Sequence, residues 1–318
     1  MPLLSVVDAA ELLRCPRCRA RLTASGEACA EPSCDFSSVG FRRLRDQPVL
    51  IDATDSIVDV SSIEPSSDAA PGLARRLLAK LAVGNPVAPR ISSRIASDLS
   101  SSPEDRRPLV LIVGGGTVGS GLQQLYDDPS LEVLSFDVFP SRVTQFVADA
   151  HAIPLADASV DAVVIQAVLE HVLDPARVVA EIHRVLRTNG IVYADTPFLQ
   201  HVHEGPFDFT RFTESGHRWL FRRFEMIESG VVAGVGTELS WSVAQAIRSL
   251  VPVSGVSSAI RLLMTPVAMV IDRFANPQHA TDGASSVYFY GRRSELLVQP
   301  RDMVTHYRGA QRKPTRLG

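Results

Sequence analysis

Three groups of residues in this 318-residue chain have the types and spacing to do chemistry. The first is Cys15-Pro16-Arg17-Cys18, followed by Cys29 and Cys34, which together are all four cysteines of the chain. Two pairs of thiolates a hairpin apart suit a tetrahedral zinc ion. Four sulfur ligands leave no open position, so the expected metal is structural. Clustering of every cysteine in a chain that reads as cytoplasmic argues against disulfides. The second group is Gly114-Gly115-Gly116-Thr117-Val118-Gly119, with an acid at Asp137. Glycine lets the backbone approach a ligand closely, a following helix start offers unpaired N–H groups, and a strand-end carboxylate can accept from two ribose hydroxyls. The third group is the stretch 196–212, with His201, His203, Glu204, Asp208, Arg211 and four phenylalanines. There His201 or His203 is a candidate general base, and Arg211 a group to fix an acidic or hydroxylated acceptor. Being one residue apart, the two histidines are expected on one side of an extended loop. A metal pair at that spot lacks a clear third ligand. His171 is either a histidine packed near the cofactor at a helix start or a proton-transfer group, and Glu170 a helix cap.

Buried parallel strands must hold these groups. Leu109-Val110-Leu111-Ile112-Val113 is an unbroken aliphatic run that stops at glycine, as a strand covered on both faces does. Leu122, Leu125 and Tyr126 follow at helical spacing, then a strand over 131–136 ending at Asp137. Ser159 to Ile165, a helix over 176–187, the turn Thr188-Asn189-Gly190 and the strand 191–194 continue the alternation of strand and helix. Ligands collect beyond the carboxyl ends of such strands, so the loops after Ile165 and Ala194 matter most. Thr213 to Phe221 reads as a helix, and 224–232 and 286–291 as two late strands.

The ordered series from Leu109 to Phe221 resembles the class I S-adenosylmethionine-dependent methyltransferases of the type 11 kind. The residues that carry the resemblance are Asp149-Ala150, Ile153-Pro154, Val160-Asp161, Leu169-Glu170-His171-Val172, Asp174-Pro175 and the helix into Asn189-Gly190. The resemblance implies an α/β fold with a seven-stranded Rossmann-like sheet whose last two strands form an antiparallel pair. It places S-adenosylmethionine on Gly114, Gly116 and Gly119, its ribose on Asp137, its adenine against Val138 and near Asp149 and Ala150, and its methionine part near Gln166. NAD, the competing cofactor, also uses a glycine loop and a strand-end acid. Two departures stand out: Ile112 occupies the position of a usual acid, and the glycine loop is one residue longer. Separately, Leu12 to Cys18 with Gln47-Pro48-Val49-Leu50-Ile51 resembles the small Trm112-like zinc ribbon, except that Asp35 replaces a small residue.

The expected organisation is a zinc ribbon over 1–54, a Ser- and Pro-rich linker with cofactor-covering helices over 55–108, a methyltransferase domain over 109–295, and a basic tail over 296–318 that frays. In the linker, Leu73, Leu77, Leu78 and Leu81 predict one helix and 91–99 a second. An apolar insertion at about 236–275, interrupted by Pro252 and Pro266, predicts a cap on the acceptor site, a homodimer contact or a membrane-surface contact through 242–272. A net charge of −3 and no basic stripe beside aromatics disfavour nucleic acid. No signal pattern or spanning run is present, so a cytoplasmic protein is expected. The loop 196–212 resembles one recurring in methyltransferases of surface-polysaccharide and secondary-metabolite clusters, implying a small-molecule or glycan acceptor. An RNA or translation-factor protein presented by the ribbon, and a non-catalytic cofactor-binding scaffold, are the alternatives.

Overall fold

The computed structural model describes residues 3–63, 85–100, 106–253 and 255–311. The helix expected around Leu73 to Leu81 lies outside them. After the cysteines come a short helix α1 (Asp35–Val39) and two strands, β1 (Arg43–Leu44) and β2 (Gln47–Leu50). Helix α2 (Ala88–Ser100) buries Ile91, Ile95 and Leu99, one face of a helix at i, i+4, i+8. Then follow β3 (Leu109–Val113), α3 (Gln123–Asp127), β4 (Glu132–Asp137), β5 (Phe146–Ala148) and β6 (Val160–Gln166). Every residue of β3 is buried. Leu109, Leu111 and Val113 face one core cluster and Val110 and Ile112 another, the alternation of a strand covered on both sides. Ile112, where an acid was expected by resemblance, is part of that core.

Helix α4 (Pro175–Val185) starts where Asp174 accepts from the Arg177 amide and Pro175 fixes the first turn. It is followed by β7 (Leu186–Pro197), α5 (Glu214–Leu220) and β8 (Phe224–Ala233). A helical hairpin, α6 (Val235–Leu250) and α7 (Val256–Phe274), then precedes α8 (Pro277–Asp282), β9 (Ser286–Arg293) and α9 (Pro300–His306). The sheet order is β1-β2-β5-β4-β3-β6-β7-β9-β8. Strands β5, β4, β3, β6 and β7 are parallel, and β9 and β8 are antiparallel. Those seven are the class I methyltransferase sheet that the sequence implied.

Two differences from expectation concern the ends. The cysteine module extends the sheet to nine strands, because β2 pairs in parallel with β5 through Val49 and Val147. Backbone bonds also join it to the domain: the Arg14 amide donates to Pro154 and the Ala156 amide to Leu12, each at 2.9 Å. Leu13, Phe41 and Leu50 share a core with Phe146 and Leu155. The module is thus an edge of the domain as well as its preface. The tail, expected to fray, forms α9 and docks on α5, where the His306 ring lies 2.9 Å from the Glu214 carboxylate. A buried carboxylate and its partner outweigh the fraying of a short terminal helix.

The insertion folds as two antiparallel helices that break around Pro252 as expected, whereas Pro266, expected to interrupt it too, lies inside α7. Asp272 near the end of α7 accepts from the Gly236 and Thr237 amides, capping the start of α6. Gly236 is required by close approach, since a Cβ there would sit 2.3 Å from the Ala268 carbonyl oxygen. No helix among the described residues is long and apolar enough to cross a membrane.

Candidate functional site

The glycine loop is closed by its own acid. The Gly116 amide donates to Asp137 Oδ2 at 2.8 Å and the Val138 amide to Oδ1 at 2.7 Å. Burial pushes the Asp137 carboxyl up despite these bonds. Gly114 adopts φ +72°, and a Cβ there would meet Val168 at 2.2 Å. The helix after the loop differs from the expectation: α3 has only five residues and begins at Gln123, beyond the glycines. No long helix start therefore follows the loop directly, and the Gly115 and Gly116 amides are bonded within the protein, to the Phe136 carbonyl and the Asp137 carboxylate. Val138 beside the loop is partly exposed, while Asp149 and Ala150 are buried. Asp149 is occupied by protein: it accepts from the Ser56 hydroxyl and from His151. Burial opposes ionisation there, yet these bonds hold its carboxyl below the ordinary range.

A cavity of about 760 Å³ opens beside the loop. Gly114, Gly119, Gln166, Glu170, Asp195 and His203 line one side, and Trp241, Arg261 and Thr265 of the hairpin roof the other. The Arg261 guanidinium stacks over the Trp241 ring, 3.5 Å from its centroid, which ties α7 to α6 over the cavity. Asp137, Val138, Asp149 and Ala150 lie outside this lining, while Gly114, Gly119 and Gln166 lie within it.

Sequence reasoning passed over Asp195 and Asn85. The Asp195 carboxylate lies near the end of the buried run of β7 and accepts from the side-chain amides of Asn85 and Gln166. Burial pushes it up to about 7. An acid at the carboxyl end of a buried parallel strand was a usable signal. Asn85 had none, since only folding brings it across from another part of the chain.

The loop after β7 is organised by Arg211. Its guanidinium donates to both Asp208 oxygens and to the carbonyls of Gln200, His201 and Thr210, which uses all its N–H groups. Arg211, expected to hold an acceptor, is committed to the loop itself. Curled around that cation, the loop sends its two histidines to different carboxylates. His201 Nδ1 lies 3.9 Å from Glu238 on α6, and His203 Nε2 lies 3.9 Å from Glu170. His203 lines the cavity and His201 does not. His171 joins His203, their rings edge to face with centroids 4.8 Å apart. The Glu170 side chain is fully buried, and burial pushes it up to about 8. It is therefore no simple helix cap.

The four cysteines converge as their spacing predicted. Cys15 and Cys34 sulfurs are 3.8 Å apart, Cys18 and Cys29 sulfurs 3.4 Å, and all four lie within 4.8 Å of one another. Sulfurs at about 2.3 Å from a tetrahedral ion are ~3.8 Å apart, so the set fits one metal. Arg17, between the first two cysteines, forks onto Asp52 at 2.7 Å and covers the Phe36 ring.

Comparison with known proteins adds to this geometry. A family profile described as a methyltransferase domain matches residues 113–194. Curated sequences from two Mycobacterium tuberculosis strains, each named a probable S-adenosylmethionine-dependent methyltransferase, are 48% identical over 56 residues. That stretch is 18% of this chain and 20% of each relative, so the chain matches about a fifth of their length. Among solved structures, a complex of the Haloferax volcanii Trm112 methyltransferase activator matches at 20% identity and TM-score 0.41, covering 66% of this chain and 94% of that one. Burkholderia thailandensis 1,6-didemethyltoxoflavin-N1-methyltransferase matches at 14% identity and TM-score 0.41, covering 70% and 83%.

Proposed function

We propose that this chain transfers the methyl group of S-adenosylmethionine to a hydroxyl or amine of a small molecule or sugar. One observation carries the reading: the glycine loop and the Glu170–His203 cluster open into a single cavity roofed by a helical hairpin. The profile match spans the glycine loop and β6, whose Gly114, Gly119 and Gln166 line the cavity. S-adenosylmethionine supplies a methyl on a positively charged sulfur, which a nucleophile displaces in line. Of the expected residues, Gly114, Gly119 and Gln166 line the cavity and would hold it directly; Gly116, Asp137, Val138 and Ala150 remain part of the proposed set outside that lining, whereas Asp149 is spent on Ser56 and His151. Asp195 adds a buried carboxylate on the Gln166 side. The chain's own work is to align the acceptor and receive its proton. That second role goes to the cluster of Glu170, His171 and His203 rather than to His201, because Glu170 and His203 line the cavity and His201 does not. A roofed pocket suits a small acceptor better than a polymer. Zinc on Cys15, Cys18, Cys29 and Cys34, in a ribbon of the Trm112-like kind, has a structural role.

Calorimetry with S-adenosylmethionine and with NAD tests the cofactor. Binding of NAD without binding of the methyl donor overturns the reading. Incubation with radiolabelled donor and separated cell fractions then tests the acceptor: label in a small-molecule or glycan fraction supports it. Label confined to RNA or protein refutes the acceptor class, and tight donor binding with no label anywhere favours a non-catalytic scaffold.

A further inference from the structure

The two carboxylate oxygens of Glu170 are buried and have no hydrogen-bond partner among the described residues. A carboxylate stripped of water without a partner is costly, so such a group points to something that completes it. What it faces is specific. His171 Nε2 lies 3.6 Å from Glu170 Oε1 and His203 Nε2 lies 3.9 Å from the same atom. One ligating atom from each of the three residues lies within 4.8 Å of the other two.

The other nitrogen of each ring is already engaged. His171 Nδ1 is 2.7 Å from the Phe207 carbonyl oxygen and His203 Nδ1 is 3.2 Å from the His201 carbonyl oxygen. A ring nitrogen beside a carbonyl must carry the proton and donate. The opposite nitrogen, Nε2, is the one available to an ion, and in both rings it lies on the side shared with Glu170. Asp208 lies 3.5 Å from His203 Nδ1 and adds the carboxylate that commonly backs a ligating histidine. Two imidazoles, each oriented from behind through Nδ1, and one unpartnered carboxylate form a donor set for an ion of intermediate softness.

We infer that Glu170, His171 and His203 bind one divalent transition-metal cation at the wall of the cavity. Three protein ligands leave open positions, and since Glu170 and His203 line the cavity, those positions face it. A tetrahedral ion with nitrogen ligands at about 2.0–2.1 Å needs donor separations of ~3.4 Å, so the two separations from Glu170, 3.6 and 3.9 Å, close by a few tenths of an ångström. Magnesium and calcium, which prefer all-oxygen shells, are disfavoured. A hydroxyl of the acceptor is the natural occupant of an open position, where the cation makes its proton easier to lose; with both histidine nitrogens and Glu170 Oε1 on the cation, the second oxygen of Glu170 is the group of the cluster left to receive it. This last role deepens the methyl-transfer reading and rests on it; binding of the cation does not.

The test uses the full chain loaded with one equivalent of zinc, which the four thiolates take first, and Mn²⁺ followed by electron paramagnetic resonance without any methyl donor. Mn²⁺ is a weak competitor for thiolate sites, so it reports the second cluster. One Mn²⁺ per chain is expected in the wild type. Affinity should fall at least tenfold in Glu170→Gln and in His203→Ala and stay unchanged in His279→Ala, on an exposed helix away from the cluster. Glu170→Gln preserves shape, so it serves if His203→Ala folds poorly, and S-adenosylmethionine calorimetry on each variant checks the rest of the pocket. No Mn²⁺ binding at millimolar concentration, or equal binding in Glu170→Gln and wild type, overturns the inference. Loss of donor binding with Mn²⁺ binding intact would instead strike the methyl-transfer reading alone.

Discussion

The chain gathers metal-ligating side chains in two places, and they differ in what surrounds them. The cysteine cluster has four ligands of one kind, three of them buried, and sits at the sheet edge where β2 meets β5. The Glu170–His171–His203 cluster has three ligands of two kinds and borders a cavity. Four soft ligands close a shell and release their binding energy into folding, whereas three leave room for a substrate. On the readings proposed above, the thiolate cluster is a structural staple and the carboxylate–imidazole cluster a working site. Closure decides which.

The largest effect should come from breaking the staple. Because Leu13, Phe41 and Leu50 share the core of the domain, Cys15→Ser or Cys34→Ser should destabilise more than the module alone. Losing several kcal/mol would lower Tm by about 10 °C or more in a domain of this size. Differential scanning calorimetry with matching zinc analysis checks it; a normal Tm in a zinc-free variant would dissolve the comparison. The opposite signature is expected at the open cluster. His203→Ala should cut methyl transfer at least tenfold, about 1.4 kcal/mol in the barrier, with Tm and donor affinity little changed. His201→Ala, whose ring faces Glu238 instead, should cost less than that. Steady-state kinetics on both variants, with equal losses, would remove the distinction drawn between them.

A smaller effect separates the two regions by pH. Asp195 is pushed up to about 7 by burial, from an ordinary value of 3.8. The folded state therefore binds a proton that the unfolded chain releases, and this group's contribution falls as pH rises from about 4 to about 7. His217, buried beneath Thr196, is pushed down to about 3 from 6.5 and acts oppositely, losing stability as pH falls below about 6.5. Asp195→Asn should leave only the second trend among these two, so stability rises more steeply between pH 4 and 6.5 than in wild type. Urea unfolding across that range measures it; an unchanged slope means Asp195 titrates normally. The smallest effect should be on the hairpin's outer face. Leu263 and Phe274 are 77% and 79% exposed, so Leu263→Ser and Phe274→Ser should shift stability by about 0.5 kcal/mol or less. Chemical denaturation checks that figure.

The sequence by itself determined what is local. The cysteine set was legible because its members lie close along the chain, and the aliphatic run of β3 because burial on both faces leaves an unbroken pattern. Asp137 followed from its place at the end of the next strand, and the two late strands from their own runs. The sequence also marked Glu170, His171, His203 and Arg211 as chemically able, but spacing could not say which would meet. Only the tertiary structure turned His201 and His203 apart, since Arg211 curls the loop that an extended reading kept straight. It alone brought Glu170 beside His203, set Asn85 against Asp195, and laid the hairpin over the cavity as a roof. It also spliced the cysteine module into the sheet through β2. The physical reason is distance along the chain. Periodicity and turn chemistry report neighbours a few residues apart, whereas these contacts join segments tens to more than a hundred residues apart, and only packing of the whole core fixes them.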